Sequence, residues 1–139
     1  RKLIMKKWNK KNSFSYFGVK QINDHWSWSA VSEDVTVLTL WVDQMKFDKL
    51  NRKYSHSNYN ANNSIWKNLP GNRHRIDHIN HCLDKHSGKF RAIITTPVKN
   101  NEFGETREIE SLKPMKDLWF QIKSFDNETG EFESESISE

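Results

Sequence analysis

The sequence predicts a single α+β domain, in which a curved, mostly antiparallel sheet or open β-barrel packs against one main helix of about residues 70–87. Its length of 139 residues fits one domain. Eight Phe and six Trp supply large buried area, although only 35% of the residues are apolar. Strand-like segments precede and follow one helical segment, as in an α+β fold. We expect residues 13–139 to form the domain and residues 1–12 to be a flexible basic leader.

The first half of the domain is predicted to be rich in strands. Phe14–Lys20 is predicted to be a first strand with a bend at Gly18. His25–Ala30 alternates aromatic and polar residues, and Val35–Val42 is the clearest strand because it is rich in β-branched and apolar residues. The polar segment 43–64 has little periodicity and predicts a long loop, with room for a short helical or strand piece.

The main helix is predicted over Pro70–His86. Pro70 or Gly71 suits its first turn, and Gly88 suits the position just after its end. Three apolar residues recur at helical spacing and predict its buried stripe: Ile76, Ile79 and Leu83.

The second half is again predicted to be rich in strands. Phe90–Lys99 is a strong candidate that Pro97 ends or places at an edge. Arg107–Leu112 is predicted to be short and extended. Asp117–Phe125 and Glu131–Ile137 are predicted to form a hairpin.

The net charge of +4 hides an asymmetry between the two parts of the chain. Residues 1–99 hold 18 Lys and Arg against 7 Asp and Glu, a net charge of +11. Residues 100–139 hold 4 against 11, a net charge of −7. This split favours a polyanion-binding body beside an acidic end, and its alternative is two solvated surfaces that partly neutralise each other.

Basic side chains in two places are candidates for phosphate contacts. Arg73 and Arg75 stand in the first turn of the predicted helix, where free backbone N–H groups also favour an anion. Pairing with nearby carboxylates or solvent is the alternative for both. Arg52 and Lys53 lie in the basic and aromatic segment 43–64.

Three histidines lie together on the helix face opposite the apolar stripe: His74, His78 and His81. Their spacing can hold zinc, but no further ligand is indicated by spacing. We therefore expect an exposed polar face and predict neither a metal nor a cofactor. Cys82, near the apolar stripe, is expected to be a packing residue and not a nucleophile.

Trp26 and Trp28 would share one face of an extended strand, with polar residues between them. Two indoles on one face could hold a planar base, as in pockets that accept a flipped nucleotide. The alternative is an ordinary place in the core, where most Trp residues lie.

The usual enzyme signatures are absent from the sequence. It has no Gly-rich phosphate loop, no nucleophile elbow and no CxxC pair. A group of carboxylates near a lysine predicts a solvated face more readily than a nuclease centre: Glu102, Glu105, Glu108, Glu110 and Lys113. One cysteine and no apolar run of membrane length predict a cytoplasmic protein that does not contact membranes.

Several segments carry a resemblance to a known group of proteins. They are Phe17-Gly18-Val19, Asn23 to Ala30, Val37 to Asp43, Gly71 to Ile79, Phe90 to Ile94 and Arg107 to Leu112. Together they resemble small bacterial domains found alone or beside nuclease domains in restriction and defence proteins. The order of elements is also similar to the PUA-like group of modified-base readers, a curved β-barrel with flanking helices.

The resemblance implies recognition of DNA, with a modified or flipped base in an aromatic pocket. It places Trp26, Ser27, Trp28 and Trp41 in that pocket, and we add Tyr16 as a further candidate. It also implies that three arginines contact phosphates or base edges: Arg75, Arg91 and Arg107. Cleavage would then need a partner nuclease.

The sequence as a whole predicts a nucleic-acid-binding module, with DNA favoured as the ligand. Basic residues would neutralise phosphates and aromatic residues would stack on an exposed base. The first alternative is a small metal-dependent nuclease that uses the helix histidines. The second is a protein-interaction module in which the acidic end and the basic body contact a partner.

Overall fold

The computed structural model describes residues 8–21, 28–59, 68–98 and 109–137. These residues form two α-helices, eight β-strands and a 3-10 turn at Val42–Gln44. The helices are α1 (Lys10–Tyr16) and α2 (Pro70–Lys85). The strands are β1 (Ser29–Val31), β2 (Thr36–Trp41), β3 (Met45–Asp48), β4 (Lys53–Ser57), β5 (Lys89–Pro97), β6 (Ile109–Pro114), β7 (Trp119–Phe125) and β8 (Phe132–Ile137).

The strands form one open sheet with the order β1-β2-β5-β7-β8-β4-β3, and β6 also pairs with β5. All pairs are antiparallel except β2 with β5. Strand β5 joins the two halves, because its first residues, Lys89 and Phe90, pair with β7 while residues 91–97 pair with β2 and β6. The prediction of an α+β fold with a mostly antiparallel, open sheet is confirmed.

The two helices cover opposite faces of the β2–β5 half of the sheet. On β2, Leu38 and Leu40 belong to the core that contains Ile79 of α2, whereas Val37 belongs to the core that contains Phe14 of α1. All six residues of β2 are buried. This layering explains the apolar run in the sequence, since a strand buried on both faces has no polar alternation.

Helix α1 corrects the prediction of a first strand at Phe14–Lys20. Asn9 caps the helix: its side chain accepts a hydrogen bond from Asn12 N at 2.8 Å, and the Asn12 side chain accepts one from Asn9 N at 2.7 Å. The aromatic residues of this segment suggested a strand, but Phe14 and Phe17 are also three apart, as one helix face requires. Residues 10–12, expected in the flexible leader, are the first turn of α1.

The β3–β4 hairpin lies inside the segment predicted as a long loop. Its turn is held by Asp48, whose carboxylate accepts hydrogen bonds from Leu50 N at 3.0 Å and from Asn51 Nδ2 at 2.7 Å. Arg52 in this turn has a φ of 52°. The hairpin was missed because its strands are short and half polar, so local sequence carries little strand signal.

Helix α2 confirms the predicted main helix, and Gly88 with a φ of 75° follows its end. Ile76 and Ile79 are buried as predicted, and Cys82 is a core residue. Leu83 is the exception, because it is 42% exposed while Cys82 beside it is fully buried. The confirmed β7–β8 hairpin completes the core with Phe120, Ile122 and Phe132. Neither described helix has the length and apolar character needed to cross a membrane.

Candidate nucleic-acid interface

Four aromatic rings and two cations lie together where α1 meets the sheet. We call them the aromatic–cation cluster: Trp8, Tyr16, Phe17, Arg91, Lys116 and Trp119. The capped helix α1 places Trp8 just before its start and Tyr16 at its end. Arg91 comes from β5, Lys116 from the β6–β7 connection and Trp119 from the start of β7.

Cations and rings alternate through the cluster. The guanidinium carbon of Arg91 lies 4.6 Å from the centre of the Trp119 ring and 5.1 Å from that of Phe17. The Lys116 ammonium lies 5.1 Å from the Trp8 ring and 5.3 Å from the Tyr16 ring. These distances fall within the range of cation–π attraction.

Hydrogen bonding and ring packing join the two halves of the cluster. Arg91 Nη2 donates a hydrogen bond to the Lys116 carbonyl oxygen. Tyr16 packs edge-on against both neighbouring rings, 5.7 Å from Trp8 and 5.0 Å from Phe17 between ring centres. The rings therefore hold one another and the two cations in a defined arrangement.

The cluster is accessible to solvent. Tyr16 is 47% exposed, and Lys116 is exposed. Trp8, Phe17 and Trp119 are half-buried. Such an arrangement can present ring surface and positive charge to the same ligand without first unpacking the core.

A cavity of about 430 Å³ adjoins the cluster and shares Trp8 and Lys116 with it. Its other walls are Tyr54 and the remaining residues of 113–118. Lys113 and Lys116 are exposed at its wall, and Asp117 is the one carboxylate among the residues that line it. The volume lies in the range of roughly 300–1,000 Å³ that is usual for small-molecule sites.

Two predicted site residues, Tyr16 and Arg91, are brought together in the cluster. The other aromatic candidates lie elsewhere: Trp28 is 9% exposed and Trp41 is 4% exposed. Both indoles are therefore buried and pack in the interior, whereas the predicted pocket requires ring faces that a base can reach. Trp26, Ser27 and Arg107 lie outside the described residues.

Arg75 differs most from its predicted role. Its side chain is 1% exposed, and its guanidinium lies 5.0 Å from the Trp28 ring centre and 5.4 Å from that of Phe132. Arg75 Nη2 also donates to Asn72 Oδ1 at 3.0 Å. A phosphate contact requires a surface position, and the fold gives Arg75 an interior one because Trp28, just before β1, and Phe132 of β8 cover this side of α2.

The remaining predicted phosphate ligands are spread over the surface. Arg52 and Lys53 lie at the β3–β4 turn, where Lys53 Nζ is 3.4 Å from Glu135 Oε1. Arg73 lies at the start of α2 and donates to the Glu128 carbonyl oxygen at 3.4 Å. None of these three residues lines the cavity that adjoins the aromatic–cation cluster.

The histidine face of α2 is not the exposed polar face that was expected. His78 Nδ1 lies 2.6 Å from Ser29 Oγ, and His78 is 8% exposed. His81 Nε2 lies 3.3 Å from the Ser32 carbonyl oxygen, and His86 Nδ1 lies 2.8 Å from Thr36 Oγ1. The histidines therefore fasten α2 to β1 and β2. Sequence periodicity missed this because β1 covers the face opposite the apolar stripe.

Burial decides the protonation of the interior titratable groups. Burial, with the neighbouring His74 as a smaller cause, lowers the pKa of His78 to about 4. Burial and then the charge of Arg75 lower the pKa of His56 to about 3. Burial raises the pKa of the Cys82 thiol to about 11, which makes it a poor nucleophile. In the part of the chain that the structure describes, no group of three or more His, Cys, Asp and Glu could hold a metal.

A second cavity, of about 550 Å³, lies along β3, β4 and β8. Lys46 and Lys123 line it together with Asp43, Glu133 and Glu135. Lys123 Nζ is 3.8 Å from Glu135 Oε1. Because both signs of charge meet in this cavity, it suits a polyanion less well than the aromatic–cation cluster does.

Sequence reasoning missed Trp8, Lys116 and Trp119 as site residues. The one local signal was the Asn9–Asn12 capping pair, which could have placed Trp8 at a helix start. Lys116 and Trp119 carry no local signal, since they meet α1 only through the tertiary fold.

No protein-family model, curated protein sequence or solved structure matches the chain significantly. The PUA-like resemblance therefore stays a prediction.

Proposed function

We propose that this protein is a nucleic-acid-binding module that holds an unpaired strand across the aromatic–cation cluster. The observation that carries the proposal is the interleaving of two cations with four aromatic rings at an accessible edge of the fold. Proteins that bind single strands combine positive charge along the backbone with aromatic faces on which bases stack.

The charges near the cluster favour a polyanion. Lys11 on α1, Lys113 on β6 and Lys116 are all exposed, and Asp117 is the one carboxylate among the residues that line the adjoining cavity. The excess of positive charge would attract phosphates, and counterion release would make the binding strongly dependent on salt.

The aromatic part of the cluster favours bases over phosphates alone. Tyr16 is nearly half exposed, and its contacts with Trp8 and Phe17 are edge-on, with interplanar angles of 83° and 80°. Because nearly half of Tyr16 is accessible, a base can pack against the exposed part of this residue.

DNA is the favoured ligand within this proposal, and that choice rests on the resemblance alone. A base contact at Trp26 and Ser27 stays a prediction, because residues 22–27 are not described, whereas Trp28 is buried. The nuclease alternative gains no support, since two of its three helix histidines, His78 and His81, have hydrogen-bond partners in β1 and in the turn that follows it.

The proposal is tested by fluorescence anisotropy with labelled DNA and RNA strands of about ten nucleotides, a length within the usual site size. Tyr16→Ala is expected to weaken binding about tenfold through lost stacking. Lys116→Ala is expected to lower the slope of log affinity against log salt by about one.

Matched controls come from the far end of α2, where Leu83 is an exposed apolar residue and Lys85 an exposed cation. Leu83→Ala and Lys85→Ala should leave affinity within about twofold, because surface changes away from a site have small effects. Absence of binding to any strand at low salt, or equal losses in all four variants, would rule out this interface.

A further inference from the structure

We infer that the cavity of about 430 Å³ beside the cluster selects guanine, with Asp117 contacting the Watson–Crick edge of one unpaired base. The inference rests on the proposed function and names the base that the strand presents there.

The aromatic and apolar residues that line the cavity favour a nucleic-acid base. Trp8 and Tyr54 supply aromatic surface, while Met115 and Leu118 supply half-buried apolar surface. A planar, weakly polar ring matches such walls, because stacking on aromatic side chains accepts any base. The lining thus explains why a base enters but not which one.

The charged residues that line the cavity favour a nucleotide as its ligand. Lys113 and Lys116 are exposed at the wall of the cavity, where phosphates on either side of the base would pass. Lys116 also lies over the Trp8 ring, which holds its ammonium beside the stacking surface. Asp117 supplies the one carboxylate of this lining, so a base that enters the cavity meets a group that only accepts hydrogen bonds.

A carboxylate accepts hydrogen bonds through both oxygens and donates none. Guanine is the base whose Watson–Crick edge carries two adjacent donors, N1–H and the N2 amino group. Adenine and cytosine place an acceptor nitrogen beside their amino group, and thymine flanks its single N–H with two carbonyls, so each would meet the second carboxylate oxygen with a lone pair. Asp117 therefore favours guanine by a paired hydrogen bond and disfavours the other three bases by repulsion.

The test uses the full chain and labelled oligothymidine strands of about ten nucleotides with one central substitution. A central guanine is expected to bind about tenfold more tightly than adenine, cytosine or thymine, the discrimination typical of one paired contact. Hypoxanthine, which lacks the amino group, should give an intermediate affinity, and 7-deazaguanine should bind like guanine.

Asp117→Asn should abolish the guanine preference and raise the affinity for plain oligothymidine, because it removes the repulsion between the carboxylate and the carbonyl oxygens of thymine. Asp84→Asn on α2, an exposed carboxylate far from the cavity in sequence, is the matched control and should keep the preference.

The outcomes separate the two proposals. Binding without base preference overturns the guanine inference and leaves the proposed function standing, whereas no binding to any strand overturns both. If 7-deazaguanine loses the preference and hypoxanthine keeps it, the base is held by its other edge and Asp117 is not the selecting group. If guanosine monophosphate alone binds as tightly as the strand, the site serves a free nucleotide and the strand inference fails.

Discussion

The region around Arg75 and the region around Arg91 have the same chemistry in different surroundings. Each guanidinium lies between two aromatic rings, at 5.0 and 5.4 Å for Arg75 and at 4.6 and 5.1 Å for Arg91. Arg75 is 1% exposed, whereas Arg91 is half-buried within an accessible cluster. Burial, and not the cation–π stacking, therefore decides whether an arginine and its two rings stabilise the fold or remain accessible to a ligand.

Desolvation gives the physical reason for this difference. A buried cation has lost its hydration, so it persists only where rings and hydrogen bonds such as that to Asn72 replace the water. A cation at the rim keeps part of its hydration and its attraction for distant anions. The comparison therefore predicts effects on stability at Arg75 and effects on binding at Arg91.

The largest expected effect is on stability. Arg75→Ala should lower the free energy of unfolding by about 2–4 kcal/mol, because it leaves a cavity between Trp28 and Phe132 and removes two cation–π contacts. Urea denaturation followed by Trp fluorescence measures this change. Arg91→Ala, the matched variant, should cost about 1 kcal/mol or less; a larger cost at Arg91 than at Arg75 would break the comparison.

The next expected effect is a loss of stability in acid, through the buried histidines. In the unfolded chain His56 and His78 take up protons below about pH 6.5, whereas in the folded protein their pKa values are lowered to about 3 and about 4. The unfolded state therefore binds more protons as the pH falls from 6.5 towards 4, so the folded protein loses stability over this range.

Urea denaturation at a series of pH values between 7 and 4 measures this slope. His56→Gln should flatten it, since the glutamine takes up no proton beside Arg75. Stability that does not change over this pH range would contradict the pKa values and the burial that causes them.

A smaller effect is expected on binding. Arg91→Ala should reduce the affinity for a single strand about five- to tenfold, because a phosphate contact and the order of the Phe17 and Trp119 rings are lost together. Anisotropy titration is the measurement, and Arg73→Ala, an exposed arginine at the start of α2, is the control that should keep wild-type affinity. An equal loss in both variants would mean that net charge alone matters.

The smallest expected effect tests how much stacking by the Arg91 guanidinium contributes to binding. Arg91→Lys keeps the charge but loses the planar guanidinium, so the salt slope should stay unchanged while affinity falls about two- to threefold. An affinity equal to that of the wild type would show that the planar guanidinium of Arg91 contributes nothing to binding beyond its charge.

Part of the candidate site was visible in the sequence. Tyr16 was predicted as a base contact and Arg91 as a phosphate contact, and both lie in the aromatic–cation cluster. Their partners Lys116 and Trp119 were not predicted, because a contact between α1 and residues about one hundred positions later leaves no trace in a local pattern. Arg75 and Arg73 were both predicted as phosphate contacts, because both lie in the first turn of the helix. The rotation of the helix between these two positions leaves Arg73 exposed and Arg75 buried.

The sequence by itself determined the elements whose signals are local and strong. Pro70 and Gly88 bound α2, the β-branched run of β2 and the turn before β8 made their strands recognisable, and the apolar spacing buried Ile76 and Ile79. Only the tertiary structure decided which cations and rings face solvent. Burial is set by neighbours distant in the chain: β1 covers the histidines of α2, β8 covers Arg75, and α1 brings Tyr16 to Lys116.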